Sequence, residues 1–287
     1  MLIAAGCGAG VAAGDGRVRV VAAENFWGSI AGQLGGAHAD VQSVITNPST
    51  DPHDYEPTSG DARGVAEASL VIENGLGYDP WMPRLVAANQ TRGQAVLNVG
   101  TLLGLHDGAN PHRWYIPSDV ENVSAAITSS LKRIDPKHST YYQARHAAFE
   151  AEGLATYHRL IAEIRSRYGG TPVGASESIF SGIAQATGLD LVTPATYLQA
   201  ISEGADPTAT DTATVHDQIQ GRRIEVWVFN SQNATPDIQS LSRAARAKHI
   251  PVTTITETMV PSGGSFQQWQ VSELRSLKAA LHRATGR

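Results

Sequence analysis

Two short proline-braced turns each carry a histidine, the side chain whose neutral form commonly binds transition metals in proteins. The first is Pro52-His53, inside the segment DPHDYEPT at 51–58, and the second is Pro111-His112. Proline fixes its own φ and pushes the preceding residue towards extended geometry, so neither histidine should sit on a floppy loop. A lone Pro-His pair would more simply be a proline-rich loop. Its repetition predicts two imidazoles held rigidly at one metal site.

Two glutamates in the second half of the chain are the acidic candidates for the same site. Glu177 follows the β-prone run 172–175, and Glu257 follows the β-prone run 252–255. Open parallel sheets bind ligands beyond the carboxyl ends of their strands, which is where both acids would lie. Two neutral imidazoles and two carboxylates together carry two negative charges, which one divalent cation would neutralise.

The elements that must position these residues alternate between β-prone and helical segments. Strands are predicted in the first half at 17–23, 41–45, 70–72 and 95–99, and in the second half at 172–175, 224–229 and 252–255. Helical patterns with glycine or proline boundaries fill the intervals between most of them. This alternation predicts an α/β fold with mostly parallel sheets covered on both faces.

A long helical pattern separates the two halves of the chain. It predicts an N-terminal lobe over 17–134, a linking helix over 135–170 and a C-terminal lobe over 171–287, with the metal site in the cleft between the lobes. At 1.5 Å per residue the linking helix would be about 50 Å long, with a bend expected at Gly153. Three histidines on it are interpreted as solvated or packing residues: His138, His146 and His158.

Composition narrows the class of protein. The chain has 287 residues, 41% of them hydrophobic and 17% charged, which is typical of a folded globular protein. Its net charge of -5 gives no basic footprint for nucleic acid. No apolar run approaches the roughly 18 residues that a membrane span needs.

The one cysteine, Cys7, excludes a disulfide within the chain and a zinc-binding thiolate cluster. The preceding MLIAAG resembles the end of a secretory signal, which would make Cys7 a lipid-bearing N-terminus. Residues 1–16 are then a signal remnant and tether, and more of the signal would lie upstream of Met1. The alternative is an incidental cysteine in a frayed terminus.

The block from Asp51 to Leu85 resembles the most distinctive motif of the metal-binding solute-binding proteins of bacterial ABC importers, a family of zinc-, manganese- and iron-binding lipoproteins. The segment NPHRW at 110–114 is similar to that family's second histidine motif. The resemblance extends over the chain from about Val18. It implies two α/β lobes joined by one long helix, with the metal in the cleft between them.

The resemblance also implies a ligand set and its neighbours. His53 and His112 match the family's histidine motifs, Glu177 falls where it has His or Glu, and Glu257 falls where many members have Asp. A ligating imidazole usually donates its other N–H to an acid or a carbonyl. Asp54 and Glu56 are therefore candidates for accepting that hydrogen bond and orienting His53.

Two departures from the family pattern concern the second histidine. Ile116 stands where an acid often follows the His-x-Trp motif, so that turn is expected to be held differently. The histidine-rich loop of many zinc-specific members is absent, and His106 alone occupies that region, where it is a weak ligand candidate.

The function implied is capture of one divalent transition metal outside the cytoplasm, by a membrane-anchored lipoprotein acting as a monomer, and delivery to an ABC permease with its ATPase. No enzyme activity and no organic cofactor are expected. The absent histidine-rich loop favours manganese or iron over zinc as cargo. Alternatives are a metal-binding surface adhesin and a mononuclear metallohydrolase. Against the hydrolase, the chain has no His-Glu-x-x-His or Gly-x-Ser-x-Gly motif.

Overall fold

Two parallel sheets form the framework of the protein, a computed structural model of which describes residues 16–287. The four-stranded first sheet has the order β2-β1-β3-β4, and the four-stranded second sheet has the order β6-β5-β7-β8. The strands within residues 16–287 are β1 Val18–Glu24, β2 Ala39–Ile45, β3 Leu70–Glu73, β4 Ala95–Asn98, β5 Pro172–Ala175, β6 Asp190–Leu191, β7 Val226–Asn230 and β8 Val252–Ile255. The α/β fold with two parallel sheets predicted from the sequence is therefore confirmed.

Helices cover both sheets and connect their parallel strands. Those within residues 16–287 are α1 Asn25–Gly35, α2 Ser59–Glu67, α3 Trp81–Asn89, α4 Val99–Leu102, α5 Pro117–Ile134, α6 Ser139–Ala148, α7 Ala155–Tyr168, α8 Ser181–Thr187, α9 Ala195–Ser202, α10 Ala209–Gln220, α11 Pro236–Ala247 and α12 Phe266–Thr285. In the part of the chain described, none is long and apolar enough to cross a membrane.

The connection expected to be one long helix is helical but irregular. A 3-10 turn at Pro136–His138 leads into α6, and a π-helical turn at Phe149–Gly153 separates α6 from α7. Leu154 follows this turn with φ -89° and ψ -4°, outside regular α geometry. A π turn inserts an extra residue into the helical repeat, so the apolar faces of α6 and α7 need not share one register. Gly153, where the sequence predicted a bend, is the last residue of the π turn.

One hydrophobic core runs through both halves of the molecule. It contains buried side chains of β1 and β3 from the first sheet and of β5 and β7 from the second. At its centre Phe26 of α1 stacks on Trp114, with ring centroids 4.0 Å apart, and on Trp269 of α12, at 6.3 Å. The C-terminal helix therefore packs against the first lobe as well as the second.

Candidate metal centre

A cleft of about 740 Å³ opens between the carboxyl edges of the two sheets. His53 and Glu257 line it directly, from opposite lobes. His112 is 3% exposed and Glu177 fully buried, and both lie beside the cleft, since their neighbours Pro111 and Ser178 line it. Two of the four predicted residues therefore line the cleft, and the other two lie next to residues that line it.

The loop that carries His53 is fixed by contacts on both sides of the histidine. Pro52 is buried, and its carbonyl oxygen accepts a hydrogen bond from the Trp81 indole N–H at 3.0 Å. The Tyr55 ring meets Trp81 edge to face at 4.8 Å, and its hydroxyl donates to Asp61 at 2.9 Å. The turn is therefore anchored to α2 and α3, as its prolines led us to expect.

The hydrogen bonds of His53 leave one ring nitrogen available for a metal. Its Nδ1 lies 3.3 Å from the carbonyl oxygen of Gly77. A carbonyl can only accept, so Nδ1 carries the proton and Nε2 keeps its lone pair. The backbone N–H of His53 donates to Asp51 Oδ1 at 2.9 Å. The Gly77 carbonyl thus selects the tautomer of His53, as outer groups commonly do for metal-ligating histidines.

His112 is held in the same tautomer by Asn110. The Oδ1 atom of Asn110 accepts from the backbone N–H of His112 at 3.0 Å and lies 2.7 Å from its Nδ1. The amide nitrogen of Asn110 donates to the Ser178 carbonyl at 2.8 Å, which fixes the oxygen as the atom facing the ring. Burial, and then the nearby His53, lower the pKa of His112 to about 3. The ring is therefore neutral, and its hydrogen bonds to residues within 16–287 are made through Nδ1.

The two glutamates are joined by one buried amide. Asn230, the last residue of β7, donates from Nδ2 to Glu177 Oε2 at 3.1 Å and to Glu257 Oε1 at 2.8 Å. Its Oδ1 accepts from the backbone N–H of Gln232 at 2.9 Å, so the orientation of the amide is determined. The Gln232 side chain in turn accepts from the backbone N–H of Glu257 at 2.7 Å. Both carboxylates are thereby held at the strand ends.

The environment of Glu177 favours neutralisation by a cation or a proton. Within residues 16–287 its Oε1 has no hydrogen-bond partner. Burial, followed by repulsion from Glu257, raises the pKa of Glu177 to about 8. Burial also raises the pKa of Glu257, against the opposing effect of His53. A divalent cation between the two acids would relieve both effects, since it favours their charged forms.

Tyr78 contacts both candidate histidines and Glu257. Its ring lies edge-on to His53 at 5.0 Å and to His112 at 6.0 Å between centroids. Its hydroxyl donates to Glu257 Oε2 at 3.3 Å. This buried side chain therefore contacts three of the four candidate ligands, namely His53, His112 and Glu257.

The candidate ligands face one another without closing into a finished site. Among residues 16–287, no three His, Cys, Asp or Glu side chains lie close enough together to hold a metal ion. The open cleft is consistent with this finding, because a ligand set divided between two lobes converges only when they approach. The four-residue site therefore remains a prediction that requires some closure.

The remaining sequence candidates lie apart from the ligand atoms. Asp54 and Glu56 are exposed, and the group facing His53 Nδ1 is the Gly77 carbonyl instead. This geometry does not support the second-shell roles expected for the two acids, because the loop turns them outwards. His106 is exposed. Cys7 lies outside the described residues.

Asn230 and Tyr78 are the site residues that sequence reasoning missed. Asn230 ends a strand just as the two acids follow strands, so the strand-end rule could have identified it. Tyr78 gave no such signal, since an aromatic residue in a Gly-rich loop is usually interpreted as packing.

We expect Asn230→Ala to weaken metal binding about 10- to 100-fold, the effect typical of losing a group that orients metal ligands. Without the amide, the two carboxyl groups lose the common donor that orients them. Competition titration against a chelator measures the change. Asn89→Ala is the matched control, because the Asn89 amide donates to the Leu85 carbonyl within its own helix α3. Equal affinities for the two variants would contradict the role given to Asn230.

Comparison with known proteins identifies a family match over most of the chain. The family model described as zinc-uptake complex component A, periplasmic (ZnuA), matches residues 20–280. The iron-binding protein YfeA of Yersinia pestis is 28% identical over 244 residues, which cover 81% of this chain and 76% of that protein. The manganese-binding lipoprotein MntA of Halalkalibacterium halodurans is 29% identical over 156 residues, about half of each chain (52% and 51%).

A solved structure supports the fold independently. The cadmium-bound periplasmic metal-binding protein of Candidatus Liberibacter asiaticus superposes with a TM-score of 0.74. The superposition covers 92% of this chain and 99% of that one, at 17% sequence identity. At that identity the likeness concerns the fold alone.

Proposed function

Because this chain belongs to the ZnuA family of periplasmic zinc-uptake components, we propose that it captures a divalent transition metal for an ABC importer. It would hold the ion between its lobes and deliver it to a membrane permease driven by an ATPase. Relatives named as lipoproteins support an extracytoplasmic, membrane-anchored location, with Cys7 as the proposed lipid-bearing residue. We propose binding and release without catalysis.

The observation that carries this proposal is the donor set around the cleft. In both His53 and His112 a carbonyl or amide oxygen accepts from Nδ1, so Nε2 keeps its lone pair. Glu177 and Glu257 share one amide donor, and Glu177 retains an unpartnered carboxylate oxygen among the described residues. Four protein ligands would leave little room for the open coordination position that metal hydrolysis needs.

Direct titration of the metal-free protein tests the proposal. We expect one Zn²⁺ or Mn²⁺ per chain, bound tightly and recovered unchanged with the protein after gel filtration. A chain that retains neither ion would refute the function, and steady hydrolysis of ester or phosphoester substrates would favour the hydrolase alternative.

The physiological cargo requires a measurement in cells. A set of two imidazoles and two carboxylates accepts Mn²⁺, Fe²⁺ or Zn²⁺, and zinc generally binds such sites more tightly than manganese in vitro. Two carboxylates that bind through both oxygens raise the coordination number towards that preferred by manganese or iron. We therefore propose manganese or iron as cargo over zinc.

Deleting the gene is accordingly expected to lower cellular manganese or iron, and the same metal should restore growth when added. Elemental analysis of washed cells gives the contents, and reintroducing the gene is the control. A loss of zinc alone, with rescue by zinc alone, would contradict this choice of cargo.

Metal binding is expected to move the lobes only slightly. The core shared by both lobes and the helical connection resist a wide hinge motion, which usually needs flexible crossovers between lobes. Small-angle scattering profiles of the metal-free and metal-bound protein should therefore be nearly superimposable. A large fall in radius of gyration on binding would contradict this expectation.

A further inference from the structure

Glu273, on the C-terminal helix α12, contacts a residue three positions after His112 and the residue directly before Glu257. Its Oε2 lies in hydrogen-bond contact with the hydroxyl of Tyr115, a buried residue on the turn that carries His112. Its Oε1 accepts from the backbone N–H of Thr256 at 2.9 Å and from the Thr256 hydroxyl at 2.8 Å. Thr256 directly precedes Glu257.

Tyr115 also makes a hydrogen bond to the second lobe that does not involve Glu273. Its hydroxyl lies 2.7 Å from the carbonyl oxygen of Thr256. The Trp269 indole N–H donates to the Thr256 hydroxyl at 2.8 Å and approaches Glu273 Oε1 at 3.1 Å. Ile116, next to Tyr115, has no polar side chain that could hold the turn. Tyr115, Thr256 and Glu273 therefore form the polar contact between the His112 turn and the Glu257 loop.

The Tyr115 hydroxyl is shared between two acceptors. It donates towards the Thr256 carbonyl and towards Glu273 Oε2. Glu273 Oε1 accepts from the backbone N–H of Thr256. The carboxyl group therefore accepts one hydrogen bond from each side of the contact between the His112 turn and the Glu257 loop.

We propose that Glu273 is a positioning residue of the metal site, which ties the turn carrying His112 to the loop carrying Glu257 by accepting hydrogen bonds from Tyr115 and Thr256. This inference rests on the proposed metal-binding function. It goes further by assigning the relative position of the two lobes' ligands to a residue that touches neither of them. Burial raises the pKa of Glu273 to about 7, although the hydrogen bonds that it accepts oppose the rise.

Three substitutions test the tie. Tyr115→Phe removes the shared hydroxyl, and Glu273→Ala removes the carboxyl group. Glu273→Gln keeps an oxygen acceptor for Thr256 but turns an N–H donor towards the Tyr115 hydroxyl, where the parent has an acceptor. Lys278→Ala is the matched control, since it breaks an ion pair that the same helix makes with Glu163.

The readout is the rate at which Zn²⁺ or Mn²⁺ leaves the protein for an excess of chelator, measured with the melting temperature of each metal-free variant. Tyr115→Phe and Glu273→Ala should release the metal about tenfold faster or more, the range seen for lost outer-sphere partners. Glu273→Gln should release the metal faster than the parent but more slowly than Glu273→Ala, because the amide keeps only one of the two oxygen acceptors.

The outcomes distinguish a failure of the positioning role of Glu273 from a failure of the proposed metal-binding function. Parent-like release from both Tyr115→Phe and Glu273→Ala would overturn the positioning role, as would equal acceleration in a Lys278→Ala variant of similar stability. Release from Glu273→Gln as fast as from Glu273→Ala would overturn the part given to the Thr256 contact. If the parent protein retains neither Zn²⁺ nor Mn²⁺, the proposed function itself fails, and this inference with it.

Discussion

Replacing His112 with alanine is expected to weaken metal binding by roughly 10²- to 10³-fold. Structural four-ligand zinc sites bind with about 10–16 kcal/mol, so one ligand accounts for roughly 2.5–4 kcal/mol on an equal division. We expect His112→Ala to lose this full amount, because the His112 ring is buried, neutral and fixed by Asn110 before the metal binds. Competition titration with a chelator of known affinity measures the loss.

His106→Ala is the control for that experiment. His106 is exposed and lies on the same connection before the second histidine motif, so its removal should leave the affinity unchanged. Glu177→Ala and Glu257→Ala extend the series across the cleft and should each lose a comparable amount. An affinity of Glu257→Ala equal to that of the parent would exclude it as the fourth ligand.

The parts of the site that the sequence predicted depend on local signals. Proline fixes the turns of His53 and His112, and both acids follow strands whose apolar runs are evident without a structure. The family resemblance rested on the same residues and is confirmed by the match over 20–280. Local chemistry was therefore sufficient to locate the candidate ligands and the fold class.

The contacts that organise those ligands could not be predicted in the same way. A side-chain amide can donate to many partners, and only the fold determines that Asn230 lies between two glutamates. The pair formed by Tyr115 and Glu273 joins residues far apart in the sequence. The π turn at 149–153 is a departure from helical register that composition does not reveal.

The burial of the ligands also changes the expected pH dependence of metal binding. An ordinary histidine value near 6.5 would predict that affinity falls as the pH drops through that range. With its pKa lowered to about 3, His112 stays neutral and takes up no proton there. Glu177, whose pKa is raised to about 8, holds a proton in the metal-free protein at neutral pH and must lose it to ligate.

The affinity should therefore rise with pH up to about 8 and level off above it. Well below that value Glu177 alone costs about tenfold per pH unit, so moving from pH 8, where about half of the groups are ionised, to pH 6 should weaken binding about 50-fold. Calorimetric titration at pH 7 in buffers of different ionisation enthalpy should detect about one proton released per metal bound.

Glu177→Gln is the decisive variant for this dependence. The amide carries no titrating proton, so the slope between pH 7 and pH 8 should disappear even though the overall affinity falls. Because the same substitution keeps the oxygen that accepts from Asn230, the strand end should hold its position. An unchanged slope in the variant would assign the proton to another group, and a flat parent profile from pH 6 to pH 8 would argue against Glu177 as a ligand.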